Sequence, residues 1–380
     1  MTILSNTRYK WRLDIIRDHI KIGEAKLKSC TVDFVEDSDI TRTMKAEVPV
    51  NSFVVNDIMI QQPPEYIYFD GTRCFDGTWC FVSITGKWQK IKSEFSMFSD
   101  RLRPVMVIDD KEYNFGDFVV IAAPMSRDGK EFVYDIEAYD ETMLLQQSAL
   151  IQRKYYEAGT PYISIIGSLL QECNLTKIYQ IDSNLVTTID HEYAIGTSYL
   201  SIINGLLEEI NYYPIYAGES GYLYLTPKEQ KYTVDFSYTE KNSSIIGSIS
   251  LDTDIYSLPN TIVGYISSPD IPEPIMYKRV NDNPKSLIST VSRGYSVVQS
   301  FQFNDCPDAT TLQGIIDNKF LELSQATESA DIETMPDGNH PYGSQILLNY
   351  EDNNIVFREK EWSISFGGTM THKLERKVYV

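Results

Sequence analysis

The sequence predicts an α+β, β-rich fold, with two small antiparallel, tube-like β-barrel domains flanking a middle domain of helices and a hairpin. Three observations predict it. Short runs in which apolar and polar residues alternate fill both ends of the chain, whereas three-four apolar spacing is confined to residues 160–172, 197–210 and 308–328. Twenty-six tyrosines, with abundant valine and isoleucine, favour strands over helices. The strand-like and helix-like runs are segregated along the chain, unlike the regular alternation of a parallel α/β sheet.

Taken in order, Tyr9, Trp11, Leu13 and Ile15 alternate with Lys10, Arg12 and Asp14, which describes a half-buried strand. Residues 25–50 read as two strands parted by the polar turn Glu36-Asp37-Ser38-Asp39. Next, Phe69-Asp-Gly-Thr-Arg-Cys is followed by Phe75-Asp-Gly-Thr-Trp-Cys. Two copies of a six-residue unit are too few to bury a solenoid core, so a surface hairpin inserted near residues 61–95 is expected, with a projecting contact loop as the functional alternative. Residues 105–108, 118–122 and 132–138 are predicted strands, and Asp128-Gly129 turns the last pair. Their close spacing suits a small antiparallel barrel over residues 1–150. Asp140 caps a short helix running to Leu145.

Residues 151–230 form the predicted middle domain. Thr197 or Ser198 caps a helix whose apolar stripe is Leu200, Ile203, Leu206, Leu207 and Ile210. Asn211 ends it. Tyr212, Ile215, Tyr222, Leu223 and Leu225 supply two short strands, turned at Gly218 and Gly221. The opening of this stretch occurs twice, since residues 159–172 align without gaps on residues 196–209. In the first copy Thr160-Pro161 starts the helix, because proline at the first helical position loses no hydrogen bond. An internal repeat and a convergence of two capped amphipathic helices both account for the match.

Residues 231–380 form the second predicted β-domain, with strands at 232–238, 245–250 and 261–267 and a loop stiffened by Pro269, Pro272 and Pro274. Residues 287–303 read as a strand or a long bent pair. A helix spans 308–328, capped by Asp308 or Thr310, with Leu312, Ile315, Ile316, Phe320 and Leu323 as its stripe. The last strands are 346–349, 356–366 and 370–380, and Gly367-Gly368 turns the final hairpin.

The chain has 380 residues, 42% of them hydrophobic and 23% charged, as in an ordinary globular protein with room for two or three domains. Its 53 acidic and 34 basic residues leave −19, which argues against holding nucleic acid by its phosphates or docking on an anionic membrane. Residues 1–10 are polar and no apolar signal region follows. No run approaches the roughly 18 apolar residues that span a bilayer. Five scattered cysteines suit a reduced chain. Cys74 and Cys80 are half a zinc site with no second half. The four histidines, His19, His191, His340 and His372, show no two-histidine metal spacing, and no nucleophile elbow or phosphate loop is present. Glu208-Glu209 reads as the solvated face of its helix, and His191 as a residue that packs or bonds locally. No catalytic, cofactor-binding or metal residues and no cofactor are expected.

Gly196-Thr-Ser-x-Leu-x-Ile-Ile-Asn, its following hairpin and Leu225-x-Pro227 resemble the hub proteins of phage tails. So do Asp100-Arg-Leu-Arg-Pro-Val-Met, Gly116-Asp-Phe-Val-Val-Ile-Ala-Ala-Pro and Glu137-Ala-Tyr-Asp, and more weakly Pro259-Asn-Thr-Ile-Val-Gly. The matches cover residues 100–264. The resemblance implies a structural tail-tip or baseplate hub: a trimeric ring, two barrels per chain, that joins the tail tube to the tip complex and lines the path of DNA ejection. It further implies a virion location after assembly in the host cytoplasm. Its implied partners are the tail tube or distal tail proteins, the tape measure protein, and spike or receptor-binding proteins, with no stable nucleic-acid binding. A tail-associated cell-wall hydrolase and a carbohydrate-binding receptor protein are the alternatives. The first needs a segment beyond the second β-domain, and the sequence is expected to leave none.

Overall fold

A computed structural model describes residues 9–55, 58–61, 88–91, 95–129, 131–229, 231, 233–239, 245–251, 256–266, 275–303, 305–338, 340–350 and 353–378. The Phe-Asp-Gly-Thr repeat with Cys74 and Cys80, and the loop prolines 269, 272 and 274, lie outside them. The fold is α+β and dominated by strands, as the sequence predicts. Among the described residues one sixteen-stranded sheet holds most of the strands, accompanied by four small sheets.

The large sheet begins with Tyr9–Arg17, which pairs antiparallel with Ile20–Ala25 on one side and Arg101–Ile108 on the other. Phe118–Ala122 links Arg101–Ile108 to Glu131–Asp140, which pairs with Arg42–Pro49 and through it with Ser29–Val35. Period-two burial is clear in Arg42–Pro49, where Met44, Ala46 and Val48 face in. Ser29–Val35 then pairs with Asn353–Ser365, so strands from opposite ends of the chain share one hydrogen-bonded ladder. Met370–Val378, Ala326–Thr334 and Ile245–Leu251 continue the sheet, and Phe236–Thr239 joins in parallel through Gln345–Tyr350. Ile58–Gln61 and Trp88–Ile91 pair separately as a two-stranded ribbon.

Trp11 lies 5.4 Å from Phe115 and 6.3 Å from Phe366, ring to ring, although Phe366 follows a strand six places along the sheet. The sheet therefore curls around a shared core of Leu13, Ile15, Phe34, Met44, Phe118 and Ile136 with the C-terminal Trp362, Ile364 and Met370. A second β core, around Tyr238, Ile332, Ile346, Leu348, Phe357 and Leu374, fills the C-terminal strands.

Helix α1, Thr142–Gln147, follows Asp140, whose buried carboxylate accepts from the Thr142 amide at 2.9 Å. Helices α2, Tyr162–Glu172, and α3, Tyr199–Glu209, form the middle core with Leu145, Leu175, Tyr212, Leu223 and Leu225. Ser198 caps α3 by accepting from the Ser201 amide at 3.2 Å. In α2 the N-cap is Pro161, one residue later than the Thr160 that the sequence suggests, and no side chain caps it. The aligned segments also fold alike. Lys154–Tyr156 and His191–Tyr193, which precede them, pair with each other. The Thr160 hydroxyl donates to the Glu157 carbonyl at 2.6 Å and the Thr197 hydroxyl to the Ala194 carbonyl at 2.9 Å, the same bond three residues back in both copies. The hairpin of Tyr216–Ala217 and Leu223–Leu225 completes the unit, and Ile178–Gln180 adds a parallel strand to it.

Residues 287–303 differ from the expectation of a strand or bent pair. Ser289 caps a one-turn helix, α4, Thr290–Arg293, and Gly294 at φ +73° releases the chain into Val298–Phe303. That strand runs parallel to Thr261–Ile266, which also pairs with Ile275–Val280, and helix α5, Ala309–Leu323, covers this three-stranded sheet. Asp308 caps α5, accepting from the Thr311 amide at 2.7 Å. The helix stops at Leu323, short of residue 328, because Ala326–Thr334 gains ladder bonds on both edges from Met370–Val378 and Ile245–Leu251. That pairing outweighs a helix-compatible local sequence.

Candidate functional site

The helical middle meets the β-layers at buried polar contacts, which set the geometry of the molecule. The first surrounds Asp305, fully buried just ahead of α5. Its carboxylate accepts from the Tyr162 hydroxyl of α2 at 3.0 Å, from the Thr188 amide at 2.9 Å and from the Cys306 amide at 2.8 Å, and from the Thr188 hydroxyl as well. His191 Nε2 stands 3.2 Å from Asp305 Oδ2 and 3.8 Å from Glu209 Oε2. Its Nδ1 faces the Tyr193 hydroxyl at 3.3 Å.

Burial works against the Asp305 charge, but the bonds from His191, Thr188 and Tyr162 hold its carboxyl down to about 2. Burial would lower His191, yet the bond to Asp305 and the charge of Glu209 raise it. Glu209 is pushed up to about 8 by burial, with Asp305 adding to the rise against the opposing pull of His191. The expected solvated Glu208-Glu209 face is thus half right. Glu208 is exposed and accepts from Lys319 at 2.9 Å, while Glu209 turns inward and its Oε2 has no hydrogen-bond partner among the described residues. The Tyr162 hydroxyl lies near both carboxylates, but it has one proton, and Asp305 takes it.

The second contact is Asp117, which accepts from Arg103 through two bonds of 2.6 and 2.8 Å and lies 3.9 Å from Lys177. Gly221, at φ +73°, lets the middle hairpin close over it, since a Cβ there would sit 2.0 Å from Asp117 Oδ2. Within the β-layers, the buried carboxylate of Glu36 takes Arg358 and Lys360 together. Above it runs a column of tyrosines, with Tyr224 on Tyr216 at 5.2 Å, Tyr216 on Tyr342 at 4.1 Å and Tyr342 against Tyr213 at 5.4 Å. These rings pack the middle against the sheet.

Inside the C-terminal strands lies a further network. Glu359 accepts from His340 Nδ1 at 2.8 Å and from His372 Nδ1 at 2.6 Å; His340 Nε2 faces Asp337 at 3.2 Å and Tyr238 at 3.1 Å; His372 Nε2 faces Thr334 at 2.8 Å. Burial opposes a charge on His340, yet Glu359 and Asp337 raise it to about 9. Both of its nitrogens face carboxylates, which suits an imidazolium donating on each side. Of the singled-out residues, His191 sits in the first contact, His340 and His372 in this network, and His19 lies 3.5 Å from Thr176 on its own. Cys30 and Cys306 are buried and free, their thiols pushed up to about 12 by burial, which leaves them protonated and poorly nucleophilic near neutrality. Among the described residues no helix is long and apolar enough to cross a membrane.

Along almost its whole length the fold is similar to those of solved tail proteins. It overlays a tail protein from Neisseria meningitidis MC58 with a TM-score of 0.60 over 97% of this chain and 96% of that one, at 8% identity. The 43 kDa tail protein of prophage MuSo2 from Shewanella oneidensis gives 0.56 over 97% and 98%, at 8% identity. The prophage tail protein gp18 from Listeria monocytogenes EGD-e gives 0.51 over 96% and 94%, at 13% identity. No protein-family model and no curated protein matches the chain.

Proposed function

We propose that this protein is a structural tail hub, a trimeric ring that joins the tail tube to the tip or baseplate complex and lines the path of DNA ejection. The observation that carries it is the end-to-end correspondence with the Neisseria tail protein, 97% of one chain on 96% of the other. The buried contacts support it as well. Asp305 and Asp117 lock the middle to the β-layers, as a rigid connector requires. Within this reading residues 1–150 and 231–380 supply the two barrel-like units and residues 151–230 the connector between them. The partners are further copies of the chain, tube or distal tail proteins, the tape measure protein, and spike or receptor-binding proteins.

The net charge of −19 makes an acidic inner wall available to the ring, which would let DNA pass without counterion release holding it. Electron microscopy of the purified chain, alone and with tube protein, tests the reading. Three-fold rings with a central opening support it, and a monomer that never docks on tubes overturns it. Tight DNA binding at moderate salt overturns the acidic conduit. Zymography on Gram-positive cell walls is expected to stay clear of any lytic band.

A further inference from the structure

The first polar contact has the layout of a ligand set for a metal ion. We propose that His191, Glu209 and Asp305 bind one divalent cation of the zinc and manganese class, which clasps the helical middle to the segment leading into α5. The three donor atoms lie within 4.8 Å of one another. The His191 nitrogen is 3.2 Å from one carboxylate oxygen and 3.8 Å from the other. Two ligand atoms each about 2.0–2.1 Å from a tetrahedral zinc ion stand about 3.3 Å apart. The spacing is wide enough for an ion and longer than most hydrogen bonds.

The surroundings fit as well. A metal-bound imidazole is held by a partner on its other nitrogen, and the Tyr193 hydroxyl is at 3.3 Å from His191 Nδ1. Asp305 is aimed by the amides of Thr188 and Cys306. Glu209 Oε2 is buried with no donor among the described residues, an arrangement that costs free energy unless the carboxyl takes up a proton or a cation meets it. Two carboxylates and a neutral imidazole carry −2, which a divalent ion neutralises. One nitrogen and two oxygens suit zinc or manganese, whereas calcium takes six to eight oxygens. The Glu359 network differs at this point. Its carboxylate lies 2.6–2.9 Å from both imidazoles, so those atoms bond one another and leave no room for an ion.

Calorimetry on the full chain, dialysed against EDTA and titrated with zinc chloride, manganese chloride and magnesium chloride in turn, tests the site. One equivalent of zinc or manganese should bind and raise the melting temperature, with magnesium much weaker. Glu209→Gln keeps the shape and removes the charge, and His191→Gln removes the nitrogen; each should weaken binding by at least about tenfold. Glu359→Gln should leave it unchanged. Circular dichroism identifies any variant that fails to fold, and the remaining variant then decides. Absence of saturable binding to the unsubstituted chain overturns the proposal, as does binding that survives both Glu209→Gln and His191→Gln. Ring formation is scored separately by microscopy, so loss of the cation site and loss of the hub reading are distinct results.

Discussion

Gly159 and Gly196 hold the same left-handed backbone, φ +87° and +85°, each three residues ahead of an eleven-residue helix. The equivalence extends to the threonine that follows each glycine, so the repeat is one of structure and not of letters alone.

A matched pair of substitutions reads this out. Neither glycine has an atom within 4 Å of the place a Cβ would occupy, so alanine there costs backbone strain only. Gly159→Ala and Gly196→Ala should each destabilise by about 1–2 kcal/mol in urea unfolding. Gly205→Ala, in the interior of α3 with open space around it, should instead stabilise by about 0.5–1 kcal/mol. Equal signs at all three positions would contradict the left-handed assignment.

Gly264 presents the opposite case. A Cβ there would lie 2.3 Å from Ile316 Cδ1 and 3.3 Å from Leu312 Cδ1, so α5 sits on the sheet at glycine distance. Gly264→Ala should cost about 1–3 kcal/mol by forcing the helix outward. Ile316→Val in the same background should recover part of the loss, measured as a non-additive double-mutant cycle.

The Arg17 guanidinium grips Asp100 with two bonds of 2.6 and 2.8 Å, and Asp100 is fully buried. Arg17→Ala leaves that carboxylate with the Ser96 amide at 2.9 Å but without its cation. The expected loss is about 3 kcal/mol by chemical denaturation. Asp100→Asn with Arg17→Ala should be milder than the single substitution, because no buried charge is then stranded.

The Glu359 network makes stability depend on pH. His340 has its folded pKa raised from its ordinary value to about 9, so the stability it contributes is full below about 6.5 and is lost as pH rises through about 9. Asp337 and Glu359 are lowered, burial being outweighed by His340 and the bonds it makes, so their share is present above the usual carboxylate range and is lost in acid. Melting temperature should fall between about pH 6.5 and 9. His340→Gln should lower the melting temperature at pH 6.5 and flatten this alkaline limb. A profile with the same alkaline slope in that variant would reject His340 as its source.

The local features were legible because they are written within a few residues. Ser198 and Asp308 cap where short polar side chains precede apolar stripes, and the Asp128-Gly129 and Gly367-Gly368 turns follow from what glycine alone tolerates. Glu209 was hidden behind its twin, yet a signal existed: it lies three residues after Leu206 and seven after Ile202, on the flank of the buried stripe. The Glu359 network was not legible. Asp337 and His340 come from a loop, Glu359 and His372 from two separate strands, and Tyr238 from a strand joined in parallel, so only long-range pairing brings them together. The end of α5 failed for the same reason. Ladder bonds from two distant strands decided the fate of Ala326–Thr334.

The ladder between Ser29–Val35 and Asn353–Ser365 also sets a timetable. A ribosome adds about 5–20 residues per second, so the early strand emerges tens of seconds before its partner exists. Throughout that interval one edge of the N-terminal sheet offers unsatisfied amides and carbonyls to any neighbouring nascent chain on the same message. The yield of folded protein should therefore rise when translation is spaced out or a holding chaperone is supplied.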